Sequence, residues 1–195
     1  FTRSQIALFT QIATKIEKEL GYSFIKHLAN TGAIERFKNA QFDMVRLGIG
    51  LYGVAVDQKN QIQLQTVTSL HSLVVQVKEV KKGESIGYNR SFIAESDMKI
   101  AVIPIGYADG LDRRLSNGVG KVYISGVKRP IVGNICMDLI MVDVTGLNTL
   151  VNERVEIFGP HIPVYEIAKD AGTISYEILS GIPPRVKRVY IKEDS

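Results

Sequence analysis

One cysteine, Cys136, in 195 residues excludes a framework of intrachain disulfides and fits a reducing compartment. Histidine is nearly as scarce. His27, His71 and His161 are scattered, and no Cys-x-x-Cys or His-x-x-x-His spacing occurs, which argues against a structural zinc site. No apolar run approaches the ~20 residues that a helix needs to span a bilayer, and no charged-then-apolar leader opens the sequence. The expectation is a cytoplasmic protein with no membrane partner and no metal. Internal repeats and low-complexity segments are also missing.

A basic groove is lacking as well. Lys and Arg total 24 against 20 Asp and Glu, a formal net charge of +4, but they are spread along the chain. The densest cluster, Lys78 to Lys82, is interrupted by Glu79. A nucleic-acid surface would combine clustered lysines with exposed aromatics on one face, so this charge reads as a solvated surface and no nucleic-acid partner is expected.

Hydrophobic residues make up 45% of the sequence, ample for a buried core in one domain or two small ones. Ile6, Phe9, Ile12, Ala13, Ile16 and Leu20 recur at helical spacing, with Gly21 as the stop. Tyr22 to Leu28 and Met44 to Tyr52 read as short buried strands, with a second helix over Ala33 to Lys38 between them. Helix, strand, helix, strand is the signature of parallel α/β units, and two such units cannot close a core alone. They read as the tail end of a barrel, in a sequence that opens at Phe1 within an amphipathic pattern and fits a piece of something longer.

Asp57 to Gln65 is polar, and after it helical periodicity gives way to alternation. The domain boundary is therefore placed there, giving regions 1–60 and 61–195. Val67 to Val80, Lys99 to Ile105, Leu139 to Val144 and Glu153 to Phe158 are expected strands. Val122 to Gly126 with Pro130 to Gly133 predicts a hairpin. A helix is expected over Val164 to Asp170, between Pro163 and Gly172. Thr173 to Leu179 is open between states, and Pro183-Pro184 precedes an expected final strand, Arg185 to Ile191.

Polar clusters sit where these apolar runs end: Ser85-Ile-Gly-Tyr88, then Ile105-Gly-Tyr107-Ala-Asp109-Gly110, then Ile135-Cys-Met137-Asp138. Each could tie a β-turn or face a ligand. Taken together and in this order they resemble the C-terminal domain of the alanine racemase family. His27-Leu-Ala-Asn30-Thr31-Gly32-Ala and Met44-Val-Arg46-Leu-Gly48-Ile49-Gly-Leu-Tyr-Gly53 are similar to that family's motifs from the end of a pyridoxal-phosphate barrel. The resemblance covers nearly the whole chain but only the C-terminal half of the family's pattern. It implies an α/β barrel remnant, the last βα units of a TIM-type barrel, followed by a mainly-β domain.

The expected cofactor is pyridoxal 5'-phosphate, and the physical case for its phosphate is partly independent. Loops after the last strands of such barrels commonly hold a phosphate beside a helix N-terminus. Asn30, Thr31, Gly48 and Ile49 would supply backbone N–H groups and one hydroxyl, although Asn-Thr-Gly is also an ordinary helix cap. Arg46, a charge in an expected buried strand, needs a partner. The resemblance supplies one in the cofactor's pyridine nitrogen, left unprotonated because arginine does not readily give up its proton. His27 either supports this arginine or is a satisfied core histidine.

The resemblance further implies that Tyr88 takes or returns the α-proton of the L-enantiomer, which needs neighbours that lower its pKa from ~10. It implies that Tyr107 lines the substrate entrance, Met137 offers its N–H to the substrate carboxylate, and the Tyr176 hydroxyl reaches the phosphate. Arg113 is a further candidate for the same entrance. Asp109 and Asp138 read as turn organisers. A homodimer with each active site shared between subunits follows from the same resemblance, and a fusion behind a Mur-type ligase is compatible with it. The Lys-Ala-Asn-Ala-Tyr-Gly type of motif that carries the Schiff-base lysine is absent from these residues, so the cofactor's anchor lies outside this chain and the chain alone is expected to be inactive. The leading expectation is interconversion of L- and D-alanine for peptidoglycan synthesis. A racemase for serine or basic amino acids, and a non-catalytic β module that dimerises with or regulates another barrel, stand as alternatives.

Overall fold

The computed structural model describes residues 1–191, so the last four residues of the expected 61–195 region lie outside it. Within it the chain divides into two compact units, 1–67 and the residues from Thr68 onward.

The first unit opens with α1 (Thr2–Leu20), which ends at Gly21 in the left-handed conformation (φ 74°) with its N–H on the Glu17 carbonyl, as a glycine C-cap should. Ile6 and Ala13 are buried along one stripe, and Phe9 meets the ring of Phe42 edge-on at 5.0 Å. Lys26 pairs with Glu17 at 2.7 Å, anchoring the approach to the first strand. β1 (His27–Asn30), α2 (Thr31–Arg36) and β2 (Met44–Arg46) then form a βαβ unit with the two strands parallel.

Three sequence expectations change here. The first strand begins at His27, not Tyr22. The second ends at Arg46, because Gly48 leaves the extended region (φ −114°, ψ −100°) and starts a 3₁₀ turn over Ile49–Tyr52. Finally, Met44, Val45 and Arg46 are exposed, not buried. A parallel pair covers neither of its faces when, among the described residues, no third strand joins it. The polar stretch after Asp57 is a 3₁₀ segment, Gln58–Gln63. The Glu35 carboxylate ties it down by accepting from the Val56 and Asp57 amides and from Asn60.

The second unit is built on seven antiparallel strands. In chain order they are β3 (Leu70–Leu73), β4 (Gln76–Val80), β7 (Met98–Ile103), β8 (Lys121–Ile124), β9 (Val127–Val132), β10 (Ile140–Asp143) and β11 (Arg154–Phe158). A separate small hairpin pairs β5 (Ser85–Ile86) with β6 (Phe92–Ile93). The spatial order is β3-β11-β8-β9-β10-β7-β4. β3 and β4, the two edges, are joined through Val74 and Val75 alone, whose amides reach Glu153 and Val102. The sheet therefore curves back on itself. Val67 to Val80, expected as one strand, is split at that join because its halves pair with different neighbours.

Inside the curve lie Val74, Ile103, Val122, Ile124, Ile131, Ile140, Val142 and Val155, each 1% exposed or less. Fully burying one such aliphatic side chain stabilises by about 1.5–3 kcal/mol. The β8–β9 hairpin turns through Ser125 and Gly126, both at positive φ (49° and 82°), as a type I′ turn requires. α3 (Val164–Asp170) starts behind Pro163, and the open stretch after Gly172 becomes α4 (Ser175–Ser180). Arg185 to Ile191 is not a strand. Pro183 and Pro184 cannot donate to a ladder, and the Arg188 guanidinium takes the Ile182, Pro183 and Val186 carbonyls instead.

Candidate active site

The sequence-selected residues fall into two groups, one in each unit. In the first unit, Asn30 caps α2 by accepting the Ala33 N–H at 3.1 Å. The Thr31 and Gly32 amides of the first helical turn keep no acceptor within the helix. Thr31, only 3% exposed, accepts the Gly48 N–H on Oγ1 at 2.9 Å and keeps its own proton to donate. Gly48 N–H is thus already used, and the donors left at this corner are the Thr31 hydroxyl, the helix amides and the backbone at Ile49, which opens the 3₁₀ turn.

Arg46 lies opposite Asn30 in the parallel pair, and its Nη2 donates to the Leu28 carbonyl at 3.1 Å. That bond leaves four of five guanidinium N–H groups for other partners. His27 pairs with Met44 in register. Among the described residues it makes no hydrogen bond to Arg46, whose holder here is Leu28.

In the second unit three loops meet. Tyr88 leads a 3₁₀ turn after Gly87 (φ 76°), and Asn89 and Arg90 follow at φ 60° and 50°. Consecutive non-glycine residues in the left-handed region are strained by roughly 1 kcal/mol or more each. Tyr88 is 72% exposed and lines a cavity of ≈ 830 Å³ together with Ile86, Arg90, Cys136 and Met141. Asn134 donates to the Tyr88 carbonyl at 3.4 Å, tying this turn to the loop 133–139.

That loop in turn holds the Tyr107 turn. Tyr107 N–H donates to the Cys136 carbonyl at 3.1 Å and Ala108 N–H to the Met137 carbonyl at 3.0 Å. The approach depends on Gly106, because a Cβ there would lie 2.3 Å from both carbonyl oxygens. Among the described residues the Met137 N–H donates to nothing, and the Tyr107 and Met137 side chains are about half exposed. Burial pushes the Cys136 thiol up, with Arg113 opposing, the reverse of the shift that activates a nucleophilic thiolate. Arg113 is exposed at the head of the next 3₁₀ turn. Tyr176 lies in the first turn of α4, partly exposed.

Residue selection from sequence missed Arg185. Its Nε lies 3.0 Å from Asp109 and its Nη2 2.7 Å from Asp138. Asp138, followed by Asp109, raises its pKa above the ordinary guanidinium value. Asp109 also closes its own turn by accepting Gly106 N–H at 2.9 Å. No local pattern announces the pairing, which joins residues 47 positions apart.

The architecture is that of closing βα units of an α/β barrel, here one βαβ unit, followed by an antiparallel β domain whose Tyr88 and Tyr107 turns are both hydrogen-bonded to the loop 133–139. Comparison with known proteins makes this specific. The family model described as alanine racemase, C-terminal domain, matches residues 67–190, and that of the N-terminal domain matches residues 1–56. This chain belongs to the alanine racemase family.

Alanine racemase 2 of Caldanaerobacter subterraneus subsp. tengcongensis is 41% identical over 198 residues, covering 98% of this chain and 51% of that protein. The alanine racemase of Halothermothrix orenii is 41% identical and is covered to 52%. Among solved structures, alanine racemase from Streptomyces lavendulae superposes with a TM-score of 0.92 at 31% identity, over 98% of this chain and 52% of that one. The Bartonella henselae alanine racemase, which holds covalently bound pyridoxal phosphate, gives 0.86 at 37% identity, over 97% of this chain and 52% of that one. The chain spans about half the length of the curated relatives it matches.

Proposed function

We propose that these residues form the closing βα units and the C-terminal β domain of a pyridoxal-phosphate-dependent alanine racemase, which interconverts L- and D-alanine and feeds peptidoglycan synthesis in the cytoplasm. The observation that carries the reading is the loop cluster of the second unit. An exposed tyrosine on a strained turn, a second tyrosine and a backbone N–H at Met137 that has no acceptor among the described residues are fastened together by the Asn134 side-chain amide and by main-chain hydrogen bonds.

The donor set of the first unit suits pyridoxal phosphate. Backbone amides at a helix start attract a phosphate, as does the spare proton of the Thr31 hydroxyl. Arg46, oriented by Leu28, presents N–H donors to a ring nitrogen while keeping its own protons. When bound, the cofactor supplies the electron sink that lets an α-proton leave a carbon acid.

The rest of the chemistry falls to side chains of the family. Tyr88 Oη takes or returns the α-proton on one face of the substrate, and a lysine outside these residues serves the other. Met137 N–H binds the substrate carboxylate. Tyr107 narrows the entrance and excludes water, and Tyr176 Oη adds to the phosphate donors. By the family resemblance, a homodimer in which one subunit's barrel meets the other's β domain is part of the reading.

The test is D-alanine formation from L-alanine by the full-length protein with pyridoxal phosphate, beside its Tyr88→Phe variant and residues 1–195 alone. Activity in the first, a loss of about a hundredfold or more in the second and none in the third are expected. Full activity in Tyr88→Phe would remove Tyr88 from the mechanism. An inert full-length protein would remove the racemase reading.

A further inference from the structure

The segment after α4 has no strand to justify it, yet its conformation is tightly held. Pro183 and Pro184 fix φ, Val186 N–H turns back to the Pro183 carbonyl at 3.1 Å, and Arg188 holds three carbonyls. This rigid turn delivers Arg185 to a place between two loops. One guanidinium edge faces Asp109 at 3.0 Å and a terminal nitrogen faces Asp138 at 2.7 Å.

Both carboxylates flank residues assigned to the site. Asp109 closes the turn that carries Tyr107, and Asp138 directly follows Met137. The Asp109 side chain is 14% exposed, so its charge needs a partner. Without the cation between them the two carboxylates would repel. The planar fork of arginine can serve both at once, whereas a lysine ammonium is a single point of charge. Two main-chain bonds already join these loops, Tyr107 to Cys136 and Ala108 to Met137. Backbone bonds alone leave the loop ends free to shift together, and a side chain reaching in from a third segment removes that freedom.

We propose that Arg185 is a positioning residue for the amino-acid substrate: by bridging Asp109 and Asp138 it holds the Tyr107 turn and the Met137 N–H in the arrangement that receives the substrate carboxylate. The inference rests on the racemase reading, and it makes the C-terminal segment part of the binding machinery without contact with the substrate.

The experiment compares Arg185→Gln, Arg185→Lys and Asp138→Asn with the wild type in the full-length holoprotein, by steady-state kinetics on alanine and by amide hydrogen exchange. Arg185→Gln should raise KM about ten- to a hundredfold with kcat changed much less. Arg185→Lys should recover part of that loss, and Asp138→Asn should mimic the Gln variant. Exchange should quicken at residues 106–110 and 134–139 and stay unchanged across β8 and β9. An unchanged KM, unchanged exchange in the two loops, or faster exchange spread equally through β8 and β9 would each overturn the proposal. An inert wild type would sink the racemase reading separately. The exchange result would still decide whether Arg185 holds the loops.

Discussion

The Thr31 hydroxyl oxygen accepts the Gly48 amide proton at 2.9 Å, so the first turn of α2 and the loop after β2 are fastened to each other by a side chain that is itself buried. The two segments proposed to share a phosphate are therefore set at a fixed separation before any anion arrives.

Replacing Thr31 with the isosteric valine removes the acceptor of the Gly48 N–H, which sits on an exposed residue. Losing one such hydrogen bond destabilises by about 0.5–1.5 kcal/mol. Urea unfolding of the full-length Thr31→Val protein should show a loss of that size, and pyridoxal phosphate should bind more weakly. Thr31→Ser, which keeps the acceptor, should stay close to wild type. Equal behaviour of the Val and Ser variants would show that the hydroxyl contributes nothing.

Two glycines should respond differently to alanine for a reason visible only in three dimensions. At Gly106 the backbone is extended, which any residue adopts, yet an added Cβ would meet the Cys136 and Met137 carbonyl oxygens at 2.3 Å. At Gly118 the φ of +86° disfavours alanine but the space is open. Gly118→Ala should lose about 1 kcal/mol. Gly106→Ala should lose more than about 2 kcal/mol and separate the Tyr107 turn from the Met137 loop. Thermal denaturation that ranks them the other way would contradict the packing described.

His71 gives the second unit an acid-sensitive point. Its Nδ1 is buried without a hydrogen-bond partner. Burial, then Arg154, lowers its pKa, against the pull of Glu156. A histidine with a lowered folded pKa stays neutral in the native state while the unfolded chain takes up its proton first. Its contribution is therefore whole above the unfolded value of about 6.5 and declines as pH falls below it. Denaturation midpoints should drop as pH falls below about 6.5, and the drop should be shallower in His71→Phe. Parallel pH profiles for the two proteins would rule this out.

Much of the architecture was legible because its signals are local. The apolar spacing of α1 and the glycine after it, the proline before α3, and the two apolar runs of the β8–β9 hairpin each act within a few residues, although the hairpin turns at Ser125-Gly126, earlier than the expected Gly126 to Pro130. The proposed site residues stand out for a different reason. Tyr88, Tyr107 and Met137 stand in motifs whose order along the chain resembles a family, and that order survives without any knowledge of contacts. The exposure of Met44 to Arg46 was not legible. An apolar run reads the same whether or not other strands cover it.

The local sequence was enough to specify helices α1 and α3 and the presence of a β8–β9 hairpin, and the order of its motifs pointed to the family. Interactions between distant segments settled the rest. Val74 and Val75 send one apolar run to opposite edges of a curved sheet, Gly106 is required by carbonyls some thirty residues away in a facing loop, and Arg185 finds its carboxylates only after the prolines turn the chain towards them. A hydrogen bond or a charge pair depends on position in space. Periodicity describes one segment at a time, so pairings between distant segments had to wait for the folded chain.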